Sequence, residues 1–168
     1  ACSCHVSEGD VIETMSEKVV ESRKTILNLL LSNHKTDCFS CAQNGRCKLQ
    51  DYCVEYGVEK TTFAGEMTEF PVDDSNPFFT YDPNLCILCH RCVNTCNKVV
   101  GRGAIDTMER GFESSVGTPF GVPIRKSTCE SCGNCVEACP TGALSSKRRK
   151  SFRPWQIDKK VLTTCPHC

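Results

Sequence analysis

Two stretches of the chain share one cysteine spacing, and this spacing decides the fold. They read CILCHRCVNTC at residues 86–96 and CESCGNCVEACP at residues 129–140. Both contain C-x2-C-x2-C-x3-C, a tight loop with three thiols followed by a fourth. Disulfide bonds within such short loops would be strained, and zinc usually takes its cysteines as two separated C-x2-C pairs. The spacing therefore favours a polynuclear cluster.

The doubled spacing matches the pattern of two-cluster bacterial ferredoxins, in which the fourth cysteine of each run binds the other cluster. The sequence thus predicts two [4Fe–4S] clusters whose ligands are exchanged between the stretches. One cluster is expected to bind Cys86, Cys89, Cys92 and Cys139, and the other Cys129, Cys132, Cys135 and Cys96. His90 is expected to lie exposed or beside a cluster without binding it.

A third site is predicted upstream, where the chain reads H-x3-C-x2-C-x5-C. Its candidate ligands are His34, Cys38, Cys41 and Cys47. A histidine at a helix end is ordinarily a cation that the helix dipole favours, but beside three cysteines at these intervals a ligand is the better interpretation. A neutral imidazole in place of a thiolate raises the reduction potential in Rieske centres. The same direction is expected for a [4Fe–4S] cluster here.

Helices are predicted on both sides of this third site. Thr14 and Glu17 have the spacing of a capping box. Apolar residues then recur at helical spacing up to an end near Ser32 or Asn33, namely Val19, Val20, Ile26, Leu27, Leu30 and Leu31. A second helix is expected from Lys48 to Tyr56, closed by Gly57. Cys53 lies within it, has no partner by spacing and is expected to be a buried thiol.

Composition excludes several classes of protein. The chain has 168 residues with 16 cysteines, and its 20 basic residues balance its 20 acidic ones. The neutral total argues against a basic nucleic-acid surface. No apolar run approaches the roughly 18 residues of a transmembrane helix, and no stretch resembles a signal peptide. Apolar residues are few, so clusters are expected to add stability, and the many thiols favour a reducing, anaerobic cytoplasm.

The predicted fold is α+β, irregular and stabilised by clusters, in four segments. Residues 1–60 hold a strand remnant, the long helix and the histidine-containing site, and residues 61–75 form a polar connector. Residues 76–146 form the two-cluster ferredoxin-like unit, in which the long stretch between Cys96 and Cys129 is expected to add a hairpin or loop. Residues 147–168 form a basic connector, whose charge run is a solvated surface or compensates cluster charge.

The order of these sites along the chain resembles that of a known family. That family is the iron–sulfur arm of the catalytic alpha subunit of cytoplasmic molybdenum or tungsten formate dehydrogenases. The segment from Ser32 to Gln50 also resembles the large peripheral subunit of respiratory complex I and the [FeFe]-hydrogenases. The segments that resemble formate dehydrogenase specifically are Asn76–Phe78, Gly103–Asp106, Arg110–Glu113, Val116–Phe120, Arg153–Trp155 and Thr163–Cys168.

The resemblance implies further sites at both ends of the chain. Cys165 and Cys168 would open a further [4Fe–4S] site beside a molybdopterin held in a domain absent from this sequence. Cys2 stands where a plant-type [2Fe–2S] domain has its fourth ligand, although Cys4 and His5 depart from the usual Thr-Pro. In such enzymes the arm carries electrons between the formate/CO2 site and a partner subunit that uses NAD, flavin or ferredoxin.

Three alternatives remain at the level of sequence. The first is the iron–sulfur arm of an [FeFe]-hydrogenase, and the second is a free-standing polyferredoxin carrier without catalysis. The third is a structural zinc protein. The sequence contains no Gly-rich dinucleotide fingerprint and no evident nucleophile–base pair, so no catalytic residue is predicted within this chain.

Overall fold

The computed structural model describes residues 4–148, 158–159 and 161–164. Its helices are α1 (Glu17–Ser32), α2 (Lys48–Tyr56), α3 (Arg91–Asn94) and α4 (Asn134–Ala138), and α3 continues as a π-helical segment, Thr95–Val100. Its strands are β1 (Phe79–Tyr81), β2 (Asp106–Met108), β3 (Ser115–Gly117) and β4 (Leu144–Ser146). Single 3-10 turns cover Pro83–Leu85, Gly111–Glu113, Pro119–Gly121 and Ile124–Lys126.

Helix α1 begins later than the capping-box spacing predicts. Its N-cap is Ser16, and no side-chain hydrogen bond caps this end. The prediction of a capping box at Thr14 is therefore wrong. A backbone bond from the Val20 N–H to the Ser16 carbonyl closes the first turn at 3.0 Å. Helix formation here depends on the packed apolar side chains further along rather than on a side-chain cap.

The apolar face of α1 packs against α2 along only part of its width. Leu27 and Leu31 are buried, whereas Ile26 is 55% exposed. Ile26 belongs to the same helical pattern but is exposed, because it lines an open groove between α1 and α2 with Leu30 and Tyr56. The buried group that joins the two helices comprises Leu27, Leu31, Cys47, Leu49 and Val58.

Helix α2 ends as the sequence predicts. Gly57 adopts the left-handed conformation with φ of 66°, which costs glycine little because it lacks a Cβ atom. The following N–H of Val58 donates to the Cys53 carbonyl at 2.8 Å and brings the Val58 side chain into the buried group. Cys53 itself is half-buried rather than buried, because it also borders an open groove beside Gly57 and Val58.

Strands β1 and β4 bring the two ends of residues 76–146 together. They pair antiparallel, with Phe79 opposite Ser146 and Tyr81 opposite Leu144. The core beneath them includes Val93, Ile105, Val116, Ile124, Val136 and Ala143. Partly buried cysteines of both stretches pack against this core. Residues 76–146 are called the ferredoxin unit below.

The long stretch between Cys96 and Cys129 contains the expected hairpin. Strands β2 and β3 pair antiparallel, with Asp106 opposite Gly117. The buried Tyr81 hydroxyl donates to the Val116 carbonyl at 2.5 Å and so fastens β3 to the sheet of the ferredoxin unit. Burial raises the pKa of Tyr81 well above its ordinary value. The hydroxyl therefore stays a hydrogen-bond donor at neutral pH.

Backbone hydrogen bonds connect the segment around α1 and α2 to the ferredoxin unit. The Lys35 N–H donates to the Asn84 carbonyl at 3.2 Å, and the Lys48 N–H donates to the Pro140 carbonyl at 3.0 Å. The Asn84 side chain also pairs with the backbone of Phe70 in the connector, at 2.8 and 2.9 Å. In the part of the chain that the structure describes, no helix combines the length and the apolar character needed to cross a bilayer.

Candidate iron–sulfur sites

The structure groups the predicted thiols of the ferredoxin unit across the two stretches. Cys86 and Cys92 lie within electrostatic range of each other, of Cys89 and of Cys139 from the second stretch. Burial raises the pKa of Cys86 to about 11 and that of Cys92 to about 12, and the neighbouring thiols add to this effect. These four cysteines are called the first thiol set. They are the same four that the exchanged-ligand pattern brings together.

A second thiol set combines three cysteines of the second stretch with one of the first. Cys135 lies within electrostatic range of Cys129, Cys132 and Cys96, the last from the first stretch. Burial is the main cause that raises the pKa of Cys135 to about 12. All four thiols line one cavity together with apolar side chains, among them Val100, Ile105, Ile124 and Leu144. The fold therefore provides an apolar-walled space with a sulfur donor set.

The two cysteine loops have matching backbones. The second residue after the first cysteine, Leu88 or Ser131, has a left-handed φ of 52° or 60°. The fourth residue, His90 or Gly133, is also left-handed, with φ of 55° or 79°. This double reversal turns each loop around its sulfur atoms. His90 is half-buried at the start of α3.

Backbone N–H groups point at the sulfur atoms. Those of Leu88 and Ser131 donate to the Sγ atoms of Cys86 and Cys129, each at 3.4 Å. The Ala104 N–H donates to Cys96 Sγ, also at 3.4 Å. Such donors stabilise negative charge on sulfur and raise the reduction potential of a bound cluster.

The candidate ligands of the third predicted site lie along the chain between α1 and α2, and this region is called the histidine site. His34 is 8% exposed, and among the described residues its Nδ1 atom has no hydrogen-bond partner. Burial lowers the pKa of His34, while the nearby Asp82 opposes this effect. A buried imidazole without a partner costs stability unless something binds it. It is therefore suited to be a neutral ligand.

The cysteines of the histidine site lie close to one another. Burial raises the pKa of Cys47, which lies within electrostatic range of Cys41 and Cys38. Cys53 lies within the same range of Cys47 and Cys38, and burial raises its pKa too. Sequence reasoning left Cys53 out of the site because it belongs to no spacing pattern. The only signal for it was its position within the helix whose N-cap is Cys47.

Gly142 marks a close approach between the histidine site and the ferredoxin unit. A Cβ atom at this position would lie 2.8 Å from Cys41 Sγ and 3.2 Å from Leu85 Cδ1. The preceding Thr141 is 1% exposed, donates to the Leu85 carbonyl at 2.8 Å and lies 3.8 Å from Cys139 Sγ. Neither residue stood out in the sequence, because their roles arise from contacts between distant segments.

A buried asparagine holds the second cysteine loop. Asn76 is 1% exposed, and its Nδ2 donates to Ser131 Oγ at 2.8 Å. Its Oδ1 accepts from the Phe78 N–H at 2.9 Å. Sequence reasoning noticed Asn76 only as part of a family resemblance, and the structure gives it a positioning role.

The chain-end candidates Cys2, Cys165 and Cys168 lie outside the described residues. Within the described ranges, no three or more His, Cys, Asp or Glu side chains lie close enough to hold a single metal ion. Each of the three sites nevertheless presents four donors of the kind that iron–sulfur clusters use. The residues present thus fit iron–sulfur clusters in donor type, and the two thiol sets of the ferredoxin unit also fit them in grouping.

Comparison with known families agrees with this donor chemistry. Residues 23–62 match the NADH-ubiquinone oxidoreductase-G iron–sulfur binding region. Residues 76–145 match the ferredoxin-like domain of NADH-quinone oxidoreductase subunit 3. The fold and these matches define an iron–sulfur protein with a ferredoxin-like domain. Specifically, the chain carries iron–sulfur domains of the NADH-quinone oxidoreductase kind.

Curated relatives extend the similarity along the whole chain. The chain is 38% identical over 169 residues to the NADPH-Fe(3+) oxidoreductase subunit alpha of Geobacter sulfurreducens, covering 100% of this chain and 20% of that protein. It is 33% identical over 184 residues to NADH-quinone oxidoreductase subunit 3 of Thermus thermophilus, covering 100% of this chain and 23% of that protein. The chain therefore spans less than a quarter of the length of these relatives.

A solved structure shares the fold. It is the crystal structure of an NAD+-reducing [NiFe]-hydrogenase in the H2-reduced state, with a TM-score of 0.76 and 27% identity. The similarity covers 83% of this chain and 60% of that chain. None of these comparisons distinguishes formate dehydrogenase from the other redox enzymes that share these domains.

Proposed function

We propose that this chain transfers electrons through three [4Fe–4S] clusters as part of a larger oxidoreductase. The observation that carries the proposal is the grouping of eight cysteines into two sets of four, each of which takes one cysteine from the other stretch. The third cluster is proposed from the spacing of His34, Cys38, Cys41 and Cys47. When bound, the clusters would supply one-electron transfer. The proposed ligands are the first thiol set, the second thiol set, and His34 with Cys38, Cys41 and Cys47.

The protein's own residues have three tasks in this proposal. The cysteines must lose their protons to bind iron, so cluster loading releases protons. Burial raises the pKa of Cys47, Cys86, Cys92 and Cys135, so these thiols carry a proton at neutral pH before iron binds. The Leu88, Ser131 and Ala104 N–H groups stabilise charge on sulfur. Apolar side chains line the cavity of the second thiol set and shield its buried donors, whereas Cys132 is exposed. Together these groups tune the reduction potential.

The close approach of Gly142 to Cys41 supports direct communication between the histidine site and the ferredoxin unit. The Thr141 hydroxyl lies near Cys139 Sγ of the first thiol set. Residues 141–142 thus contact a candidate ligand of each site. We infer that electrons pass between the two sites beside this segment.

Within the oxidoreductases we favour a formate dehydrogenase arm, supported by the sequence segments that resemble that family. In this proposal the chain is cytoplasmic and links a molybdopterin site in the remainder of the catalytic subunit to an NAD-, flavin- or ferredoxin-using partner. Cys165 and Cys168 then belong to a further [4Fe–4S] site and Cys2 to a [2Fe–2S] site. The four-segment division at residues 60, 75 and 146 is part of the same proposal.

A hydrogenase is the second candidate, favoured by a different observation. A solved structure that shares the fold is an NAD+-reducing hydrogenase of the [NiFe] kind, whereas the alternative named from the sequence is the [FeFe] kind. The chain would then carry electrons between hydrogen and a nicotinamide-using subunit. The same clusters and ligands serve both candidates.

Redox titration of the anaerobic protein, followed by EPR, tests electron transfer. Three one-electron steps with magnetically interacting signals are expected, and a protein without redox-active signals would contradict the proposal. The native complex, purified with its partners, separates the two candidates. Formate reduces the clusters of a formate dehydrogenase, whereas hydrogen reduces those of a hydrogenase.

A further inference from the structure

The two cysteine loops of the ferredoxin unit share a backbone, but only the second has side-chain support. Leu88 and Ser131 are both left-handed, and each directs its N–H at the first cysteine of its loop. A left-handed residue other than glycine is strained and persists only where its surroundings hold it. The Leu88 side chain carries no polar atom, whereas Ser131 Oγ accepts a hydrogen bond from Asn76 Nδ2 at 2.8 Å. The second loop is therefore held by a contact that the first cannot form.

Asn76 is itself fixed in place. It is 1% exposed, and its Oδ1 accepts the Phe78 N–H at 2.9 Å. Its carbonyl accepts a hydrogen bond from the Lys147 ammonium at 2.7 Å, and the same ammonium pairs with Asp74 at 2.9 Å. A side-chain amide that rotated away would leave buried polar atoms unpaired, which costs stability. The backbone and the side chain of Asn76 are thus both fixed, and its Nδ2 stays directed at Ser131.

The residues beside Asn76 hold the chain that leads into the same loop. Asp73 Oδ2 accepts the Ile124 N–H at 2.7 Å, and Ser75 Oγ accepts the Arg125 N–H at 3.2 Å. These bonds fasten the turn that precedes Cys129 to the short segment at residues 73–76. The approach to the second loop and its left-handed residue are thus positioned together.

We propose that Asn76 is a positioning residue that raises the reduction potential of the cluster bound by the second thiol set. This inference rests on the proposed function, because it concerns a cluster bound there. The bond from Asn76 holds the Ser131 backbone left-handed, and the Ser131 N–H then stays directed at Cys129 Sγ at 3.4 Å. A hydrogen bond to a ligand sulfur stabilises the additional negative charge of a reduced cluster.

The first loop shows what remains without this support. The Leu88 N–H makes the equivalent bond to Cys86 Sγ at 3.4 Å, but no side-chain bond holds its residue in the left-handed conformation. Motion of the loop can weaken this bond, so its contribution to the potential is smaller. Asn76 thereby contributes a difference between the two clusters of the ferredoxin unit, although their cysteine loops are alike.

Redox titration of the anaerobic, iron-loaded chain, followed by EPR, tests the role of Asn76. Asn76→Ala and Ser131→Ala should each make one of the three clusters about tenfold harder to reduce, which is about 59 mV for a one-electron couple. The other two steps should keep their wild-type potentials. Because both substitutions remove the same hydrogen bond, the double variant should shift no further than either single variant.

Thr80→Val is the matched control. The Thr80 hydroxyl donates to Asp74 Oδ1 at 2.6 Å, so this substitution removes a side-chain hydrogen bond from the same segment without touching the loop. All three reduction steps should keep their wild-type potentials. Cys96→Ala identifies the affected cluster, since the step that shifts in Asn76→Ala should be the step that Cys96→Ala lacks.

Iron content separates a positioning role from a loss of the fold. Both single variants should keep about twelve iron atoms. If Asn76→Ala does not, Ser131→Ala, which leaves the buried asparagine in place, decides by the same titration. A Ser131→Ala chain that also lost its second cluster would give the bond a structural role and overturn the proposal.

The remaining outcomes separate the two proposals. Unchanged potentials in both single variants, an equal shift of all three steps, or a shift in a step that Cys96→Ala retains would overturn the role of Asn76. An equal shift in Thr80→Val would do the same, and each of these results leaves the proposed function intact. A wild-type chain without iron or redox-active signals would instead overturn the proposed function itself.

Discussion

The two cysteine stretches of the ferredoxin unit fold alike but continue differently. After the first, α3 runs into the π-helical segment that ends at Val100, and Val99 on this segment is 79% exposed. After the second, α4 ends just before Cys139, and the chain passes into four buried residues, 141–144. Gly142 stands at the position equivalent to Val99 and lies against Cys41 instead of solvent.

The comparison separates what the loops do from what their flanks do. The left-handed residues of each loop set the sulfur positions, and they recur in both stretches. The flanks differ because the first leads into the β2–β3 hairpin, whereas the second closes the β1–β4 sheet and meets the histidine site. The backbone that positions the thiols is thus the same in both stretches, whereas the residues that surround each thiol set differ.

The largest expected effect comes from removing an exchanged cysteine. Cys139→Ala should cost the cluster of the first thiol set although Cys139 lies in the second stretch. Iron should fall from about twelve towards eight atoms per chain. In thiol mapping by alkylation and mass spectrometry, Cys86, Cys89 and Cys92 should become reactive. Cys129, Cys132 and Cys135 should stay protected.

Cys96→Ala is the mirrored control. It should expose Cys129, Cys132 and Cys135 and leave the thiols of the first set protected. If instead each variant exposed the cysteines of its own stretch, the exchange of ligands between the stretches would be wrong.

A smaller but still large effect is expected at Gly142. In Gly142→Ala the new Cβ would meet Cys41 Sγ at 2.8 Å and Leu85 at 3.2 Å. Such overpacking lowers the free energy of unfolding by about 1–3 kcal/mol. Anaerobic urea unfolding measures it. Gly65→Ala is the control, because a Cβ there meets nothing within 4 Å.

The equivalent residue of the first stretch sharpens this test. Val99→Ala should change the free energy of unfolding by less than about 0.5 kcal/mol, since exposed positions without special contacts contribute little. Equal losses from Gly142→Ala and Val99→Ala would show that the two flanks do not differ as the structure indicates.

Substitutions at the left-handed residues His90 and Gly133 test whether the two loops have equivalent backbones. Gly133→Ala places a Cβ in a left-handed conformation and should cost about 1–2 kcal/mol of stability. His90→Gly relieves the same strain, although the added freedom of the unfolded chain limits the gain to below about 1 kcal/mol. Anaerobic urea unfolding measures both. Opposite signs are expected, and a loss from both would refute the equivalence.

The smallest effect is expected at the ion pair between the stretches. Arg102 follows the first stretch and pairs with Glu130 in the second, and both side chains are about half exposed, at 48% and 52%. Arg102→Ala should cost less than about 1 kcal/mol. The loss should vanish in high salt because salt screens exposed charges. If urea unfolding at high salt still showed a lower free energy of unfolding for Arg102→Ala, Arg102 would have a role other than this ion pair.

The sequence predicted the parts of the molecule that local rules control. Cysteine spacing predicts two exchanged ligand sets, and the structure brings the same cysteines near one another. Their role as cluster ligands stays a prediction. Gly57 predicted the end of α2 because a left-handed turn favours glycine there. The start of α1 was predicted wrongly, since a capping box is only a spacing until its hydrogen bonds form.

Contacts between distant segments could not be predicted. Ile26 has helical periodicity but is exposed, because α2 covers only part of the face of α1. Gly142 and Asn76 have no local signal, since one is defined by Cys41 and the other by Ser131. The candidate ligand sets remain predictions that only the bound iron can test.

The most direct measurement is the metal content of anaerobically purified protein. Iron, acid-labile sulfide and zinc are determined per chain. The proposed ligand sets predict about twelve iron and twelve sulfide with no stoichiometric zinc. Near-zero iron with stoichiometric zinc, in protein never exposed to air, would contradict electron transfer and leave a structural metal protein.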